Sequence, residues 1–358
     1  VGTRPNYIKI TQFKKVAAQH FPGKFNIKLV HTGQHFDKAM ADVFFKQLDI
    51  EPDYFLNISS LSANIQMAEI MLRLEPLLNE FKPDWVIVPG DVNSTLAAAL
   101  AAHKCGYKIA HLESGLRSFD RTMPEEINRI ITDEISNLFF VTEQSGLDNL
   151  KREGKDAGHI FFVGNTMIDT MVAFEEEIAQ NKILERIGLQ MKEYALVTMH
   201  RPATVDNKEG LTKLCNLLQE LSNKVKVLFP IHPRTKAKLT AFELLKNIED
   251  NQRIIFTEPL DYFAFQNLIS NALFIVTDSG GIQEETTFKK IPCLTLRENT
   301  ERPITITEGS NSLSTLNEDD VLKKAQEIMD KNYKKGKIPA LWDGYATNRI
   351  LAIFNSIT

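Results

Sequence analysis

Short β-rich runs alternate with longer stretches of helical apolar spacing along almost the whole chain. No other feature limits the fold so strongly. The first series of expected strands is NIKLVH (26–31), DWVIVP (84–89), YKIAH (107–111), LFFVT (138–142) and IFFV (160–163). A second series follows, with ALVTM (195–199), VKVLFP (225–230), RIIF (253–256), LFIVT (273–277) and PCLTL (292–296). Between them lie helical patterns over 65–81, 93–105, 211–223 and 263–270. Strands alternating with helices form parallel sheets joined by crossover helices, so the pattern predicts an α/β chain of two Rossmann-like domains. A chain of 358 residues with 43% hydrophobic and 25% charged composition can bury a core in each of two domains. The expected division is 1–170, 171–340 and a terminal helix over 341–358 that returns to the first domain.

A net charge of −4 argues against a nucleic-acid partner, because such proteins carry a basic surface. Cys105, Cys215 and Cys293 are scattered and odd in number, so they read as reduced cysteines of a cytoplasmic protein and leave no zinc spacing. No apolar run approaches the roughly 20 residues of a membrane helix, and no signal peptide is recognisable. The sequence opens at VGTRPN without an initiator Met, so upstream residues and a first strand truncated to Val1 are expected.

Ligands of open parallel sheets bind beyond the carboxyl ends of the strands, which directs attention to the residues just after each run. After LFIVT comes DSGGIQEE. Here Ser279 is placed to cap a helix, while Gly280 and Gly281 let an anion approach free N–H groups. Glu285 lies one turn further along the same face. A tight turn with glycines for close packing fits this stretch equally well. In VGTRPNYIK, Pro5 suits a first helical turn, and Arg4 and Lys9 put two cations near a helix start, which favours an anionic ligand. Asp91 in PGDVNST reads either as the cap of the next helix or as a chemical group. Glu113 ends another strand, and Glu125 and Arg129 in TMPEEINR are spaced as a surface pair could be. Asp91, Glu113 and Glu125 together in one domain suggest acid–base work, since gathered like charges raise one another's pKa. TMHRP and PIHPR each set a His beside an Arg after a strand, giving His200 and His232, and TERP supplies Arg302.

Taken in order, VGTRPNYIK, HTGQHFD, PGDVNST, HLESGLRSFDRTMPEEINR, VGNTMIDT, TMHRP, IHPR, TDSGGIQEE and TERP resemble the non-hydrolysing UDP-N-acetylglucosamine 2-epimerase family from end to end. The resemblance implies two Rossmann-like domains facing a central cleft, as in GT-B glycosyltransferases. It implies interconversion of UDP-N-acetylglucosamine and UDP-N-acetylmannosamine by elimination and re-addition of UDP, with no nicotinamide and no metal. By motif, Asp91, Glu113 and Glu125 look like the carboxylates that move protons at carbon 2, and His200 like the residue beside the leaving phosphate. Arg4, Ser279, Gly280, Gly281 and Arg302 resemble diphosphate ligands, supported by Lys9, Arg129 and His232. Glu285 resembles the ribose ligand, and Phe265 a platform for uracil. A homodimer is expected from the family. Three positions depart from its pattern: Thr204 where Asn is common, Ile304 where Glu is common, and Glu69 where regulated bacterial members carry an Arg in a second UDP-sugar site. A carboxylate at 69 implies either no such activation or a modified UDP-sugar as substrate. A UDP-sugar transferase and a non-catalytic sensor leave the carboxylates without a task.

Overall fold

The computed structural model describes residues 1–33, 38–59 and 62–357. Gln34, His35, Phe36 and Asp37 of the HTGQHFD stretch lie outside them. The chain divides into two compact units, Val1–Phe174 with Ala340–Thr358, and Glu175–Pro339.

In the first unit the strands are β1 (Val30–His31), β2 (Tyr54–Phe55), β3 (Trp85–Pro89), β4 (Lys108–Leu112), β5 (Leu138–Val141) and β6 (Ile160–Phe162). Strands β3 to β6 pair in chain order, all parallel, while β1 and β2 form a separate parallel pair. Every residue of β5 (LFFV) is buried, as expected where helices cover both faces of a parallel sheet. The run expected as a strand over 26–31 pairs only at its end. Beside it opens a cavity of about 490 Å³ lined by Ile27, Leu29, Trp85 and Ile87 among others. On its other side Val1 pairs in parallel fashion, its N–H donating to the Val30 carbonyl and its own carbonyl accepting from Thr32.

The VGNTMIDT stretch ties the terminal segment to this unit. Gly164 has a positive φ, and a Cβ there would meet the Leu341 carbonyl oxygen at 2.0 Å, so only glycine fits. Asn165 caps the helix Thr166–Ala173 through the Met167 N–H. Asp169 accepts from the N–H groups of Ala346 and Thr347, capping the terminal helix Ala346–Ile357. That helix buries Ile350, Leu351 and Phe354 against Leu112 and Phe140.

The second unit contains β7 (Tyr194–Thr198), β8 (Lys226–Pro230), β9 (Ile254–Thr257), β10 (Phe274–Thr277), β11 (Cys293–Leu296) and β12 (Asn311–Ser314). They form one parallel sheet in the order β12-β11-β10-β7-β8-β9. Alternation in β7 sends Ala195 and Val197 to one face and Tyr194 and Leu196 to the other, each into its own apolar cluster. Helix Lys208–Lys224 buries Leu211, Leu214, Cys215, Leu218 and Leu221, a stripe at helical spacing, against the first of these faces. The strand order reverses between β7 and β10, which creates a crevice at their carboxyl ends. Among the described residues, no helix is long and apolar enough to cross a membrane.

Candidate functional site

In the first unit the candidate residues gather at the adjacent ends of β3 and β4. Glu113, the residue after β4, has φ +70°, a left-handed conformation that costs a non-glycine residue energy and often marks a functional turn. Its carboxylate is buried and forms an ion pair with Lys9, also buried. Gly90, after β3, has φ +68°, and a Cβ there would come within 2.9 Å of the Lys9 ammonium nitrogen. Asp91 follows, with its carboxylate 3.3 Å from Arg129 and its carbonyl accepting from Asn128 at 2.9 Å.

Several expectations change here. The helix after β3 is Asn93–Lys104, whose cap position is Val92, so Asp91 is not its cap. Arg129 does not form a surface pair with Glu125. It is buried, and it pairs with Glu126 at 3.0 Å as well as with Asp91. The reason is helix phase: Glu126 faces inward, where it also accepts from Ser118 and Phe119, while Glu125 is exposed. Asp91 and Glu113 are therefore not a gathering of bare like charges, because each lies against a cation. Lys9 faces a carboxylate instead of an open turn, and the Arg4 guanidinium lies over the Phe44 ring at 4.3 Å.

In the second unit, β7 leads to His200 and β10 to Ser279, so the two stand at the reversal point of the sheet. Asp278, fully buried, joins them. Its Oδ1 is 2.9 Å from His200 Nδ1, and its Oδ2 accepts from the N–H groups of His200 and Arg201 at 2.9 and 2.8 Å. Burial pushes the Asp278 carboxyl upward, but the His200 ring and the two backbone donors outweigh it and hold the group below its ordinary range. The His200 side chain itself is 55% exposed, so its other ring nitrogen remains available to a ligand. His232 begins the helix Pro233–Ala241, with Nδ1 accepting from the Arg234 N–H. Burial lowers its pKa first, and the nearby charges of His200 and Arg234 lower it further. Arg234 is held by Asp206 at 3.0 and 2.5 Å.

Ser279 occupies the cap position of helix Gly280–Lys289, but its side chain makes no capping bond. That is a correction to the expected cap, and it leaves the first-turn N–H groups without the Ser279 hydroxyl as acceptor. Gly280 packs against Arg302: a Cβ would sit 2.9 Å from the guanidinium. Arg302 in turn pairs with Glu301 and, at 2.9 Å, with Glu284. Glu285 is buried one turn past Gly281. Phe265 is half-buried on helix Tyr262–Asn271, packed at the edge of an apolar cluster. Asp278 and Asn128 were not singled out from the sequence, and Glu126 was read only as part of the helix start in TMPEEINR. Their signal was present, since all three adjoin motif residues, but only the folded geometry reveals which neighbour points inward.

The sequence profile of the UDP-N-acetylglucosamine 2-epimerase family matches residues 17–355. The chain belongs to this family. A UDP-N-acetylglucosamine 2-epimerase of Methanococcus maripaludis is 41% identical over 340 residues, which is 93% of this chain and 91% of the relative. A UDP-2,3-diacetamido-2,3-dideoxy-D-glucuronate 2-epimerase of Pseudomonas aeruginosa is 36% identical, over 92% of this chain and 91% of its own length. Among solved structures, the UDP-N-acetylglucosamine 2-epimerase of Methanocaldococcus jannaschii, in complex with UDP-N-acetylglucosamine and UDP, aligns with a TM-score of 0.89 at 37% identity. The alignment covers 99% of this chain and 98% of that one. Family membership thus agrees with parallel α/β sheets in two domains of the GT-B-like kind.

Proposed function

We propose that this chain inverts carbon 2 of UDP-N-acetylglucosamine reversibly, giving UDP-N-acetylmannosamine, by eliminating and re-adding UDP. The observation that carries this reading is the pair Asp91 and Glu113, each set against a buried cation at neighbouring strand ends. Carbon 2 has no adjacent carbonyl to acidify its proton, so the reaction needs a firmly held base and a good leaving group. A carboxylate takes the carbon 2 proton, the bond from carbon 1 to the phosphate oxygen breaks, and UDP leaves with the electron pair. A glycal with a double bond between carbons 1 and 2 remains. A proton delivered to the opposite face of carbon 2, with UDP re-forming its bond at carbon 1, completes the inversion.

In this reading Asp91, Glu113 and Glu125 move the protons, and Lys9 and Arg129 act chiefly by holding Glu113 and Asp91. His200 serves the leaving phosphate. The uncapped helix start at Gly280 and Gly281, with Ser279, Arg302, Arg4 and His232, takes the diphosphate, Glu285 the ribose and Phe265 the uracil. The homodimer and the cytoplasmic location that the resemblance implies belong to the same proposal.

Incubation with UDP-N-acetylglucosamine in deuterated water, followed by proton NMR, is expected to yield the manno epimer carrying deuterium at carbon 2. An inert substrate in the presence of demonstrable UDP binding would overturn this and point to the diacetamido uronate class. The rate is expected to rise hyperbolically with substrate. Glu69 accepts from the N–H and hydroxyl of Ser59 at 2.6 and 2.9 Å, hydrogen bonds that lower its pKa, and the resulting negative charge opposes a second diphosphate there. A sigmoidal curve would remove that part of the reading.

Ser279→Ala and Glu285→Ala are each expected to weaken UDP binding by about tenfold, the scale of one lost polar contact to a charged ligand. Isothermal titration with UDP measures this, and unchanged affinity in both variants would shift the nucleotide elsewhere.

A further inference from the structure

Behind the ends of β3 and β4 runs a buried chain of polar and charged side chains. His111 in β4 has Nδ1 2.6 Å from Asp133 Oδ1 and Nε2 2.8 Å from the Gly90 carbonyl oxygen. Asp133 Oδ2 accepts from the Gly115 N–H at 3.1 Å and lies 2.7 Å from Arg117. Arg117 continues to Glu153 through two bonds of 2.9 and 2.6 Å. His111 and Asp133 are 0% exposed and Arg117 4%.

The donor inventory places one ring proton. A carbonyl oxygen only accepts, so Nε2 of His111 carries a hydrogen. Asp133 has a guanidinium and an N–H on its second oxygen, and its first oxygen holds the far side of the ring at Nδ1.

Its bond to Gly90 links the two turns that bear Asp91 and Glu113. Gly90 is fastened to β4 twice, because its own N–H donates to the carbonyl of Leu112 at 3.0 Å while its carbonyl accepts from the preceding residue, His111. Asp91 follows Gly90 directly and Glu113 follows Leu112 directly. At its other end the chain fixes Gly115, two residues past Glu113, through Asp133. A buried ionic chain contributes little net stability, since desolvation offsets the Coulomb attraction. What it does supply is geometry.

We propose that His111, through its Nε2–H on the Gly90 carbonyl, is a positioning residue that sets the spacing of Asp91 and Glu113. This rests on the epimerase reading, and the measurements separate the two. Wild-type enzyme labelled with nitrogen-15 histidine is expected to show a protonated Nε2 for His111 by NMR, assigned by its loss in His111→Gln. An Nε2 without hydrogen would overturn the proposal whatever the activity. A wild-type enzyme without carbon 2 exchange would overturn the epimerase reading and leave the ring result standing.

His111→Phe removes the bond to Gly90 and is expected to lower kcat by roughly 30- to 100-fold, the scale of a small displacement of catalytic groups. KM and UDP affinity stay within about threefold, because the nucleotide is not held by these turns. In Asp133→Asn the amide N–H faces Nδ1, so the ring keeps its Nε2 hydrogen on Gly90. That variant is expected to retain kcat within about threefold of wild type, the conservative rescue that bulk destabilisation would not give. A folded His111→Phe enzyme with wild-type kcat, or an Asp133→Asn enzyme as impaired as His111→Phe, sinks the assignment. Should His111→Phe not fold, His111→Leu, which likewise has no donor for the Gly90 carbonyl, is judged by the same kcat threshold.

Discussion

Glu113→Gln is expected to reduce turnover by about 10³-fold or more while UDP still binds, because a group that moves a proton contributes roughly 10²–10⁴-fold and an amide cannot do so. Glutamine fills the same space, but it leaves Lys9 as a buried cation without its carboxylate. Breaking a buried ion pair from one side costs about 3–5 kcal/mol, so a lower melting temperature should accompany the lost activity. The two effects must be separated. The paired variant Lys9→Met with Glu113→Gln removes the stranded charge and is expected to recover most of the melting temperature without recovering turnover. If activity returned along with stability, Glu113 would be a structural partner of Lys9 and the proton chemistry would belong to Asp91 and Glu125. The positive φ at Glu113 argues the other way, since a salt bridge alone does not need a strained backbone.

The alternation of apolar runs and helical spacing was enough to read the four-stranded sheet and five strands of the six-stranded one, because parallel strands are continuous buried runs and their crossover helices carry clear stripes. The run over 26–31 shows where that logic weakens. Ile27 and Leu29 have the composition of a strand, yet they line a cavity, and the ladder holds only Val30 and His31 of the run, because a strand needs a partner as well as a pattern. β12 escaped notice for the opposite reason: NSLS is polar, and its Asn311 and Ser314 are buried through hydrogen bonds to Thr295 and Asp320. Candidate residues at strand ends were legible because turns after parallel strands hold few other residue types of use. Their partners were not. Whether Arg129 reaches Glu125 or Glu126 depends on helix phase at the level of a single residue, and whether Lys9 faces solvent or Glu113 depends on packing between elements more than 100 residues apart in the chain.

Asp278→Asn is expected to lower kcat by about 10³-fold, comparable to the loss when a buried carboxylate that orients a catalytic imidazole is replaced by its amide. Asp278 satisfies two backbone N–H groups with one oxygen and the His200 ring with the other. Asparagine has a single acceptor oxygen. With that oxygen on the backbone donors, its N–H₂ faces His200 Nδ1, which must then accept, so the ring is locked in the neutral tautomer that carries hydrogen on Nε2. The tautomer and orientation that the carboxylate imposes through Nδ1 are thereby lost, and with them the ring's proper presentation to departing UDP. Orientation through His200 has a specific signature. In the background of His200→Ala, adding Asp278→Asn should cost less than about threefold more, since two residues acting as a unit are non-additive. Steady-state rates of the four enzymes give the cycle directly. Additive losses would instead mean that Asp278 acts through the turn at Ser279, one residue on, and the measured affinity for UDP would then fall together with kcat.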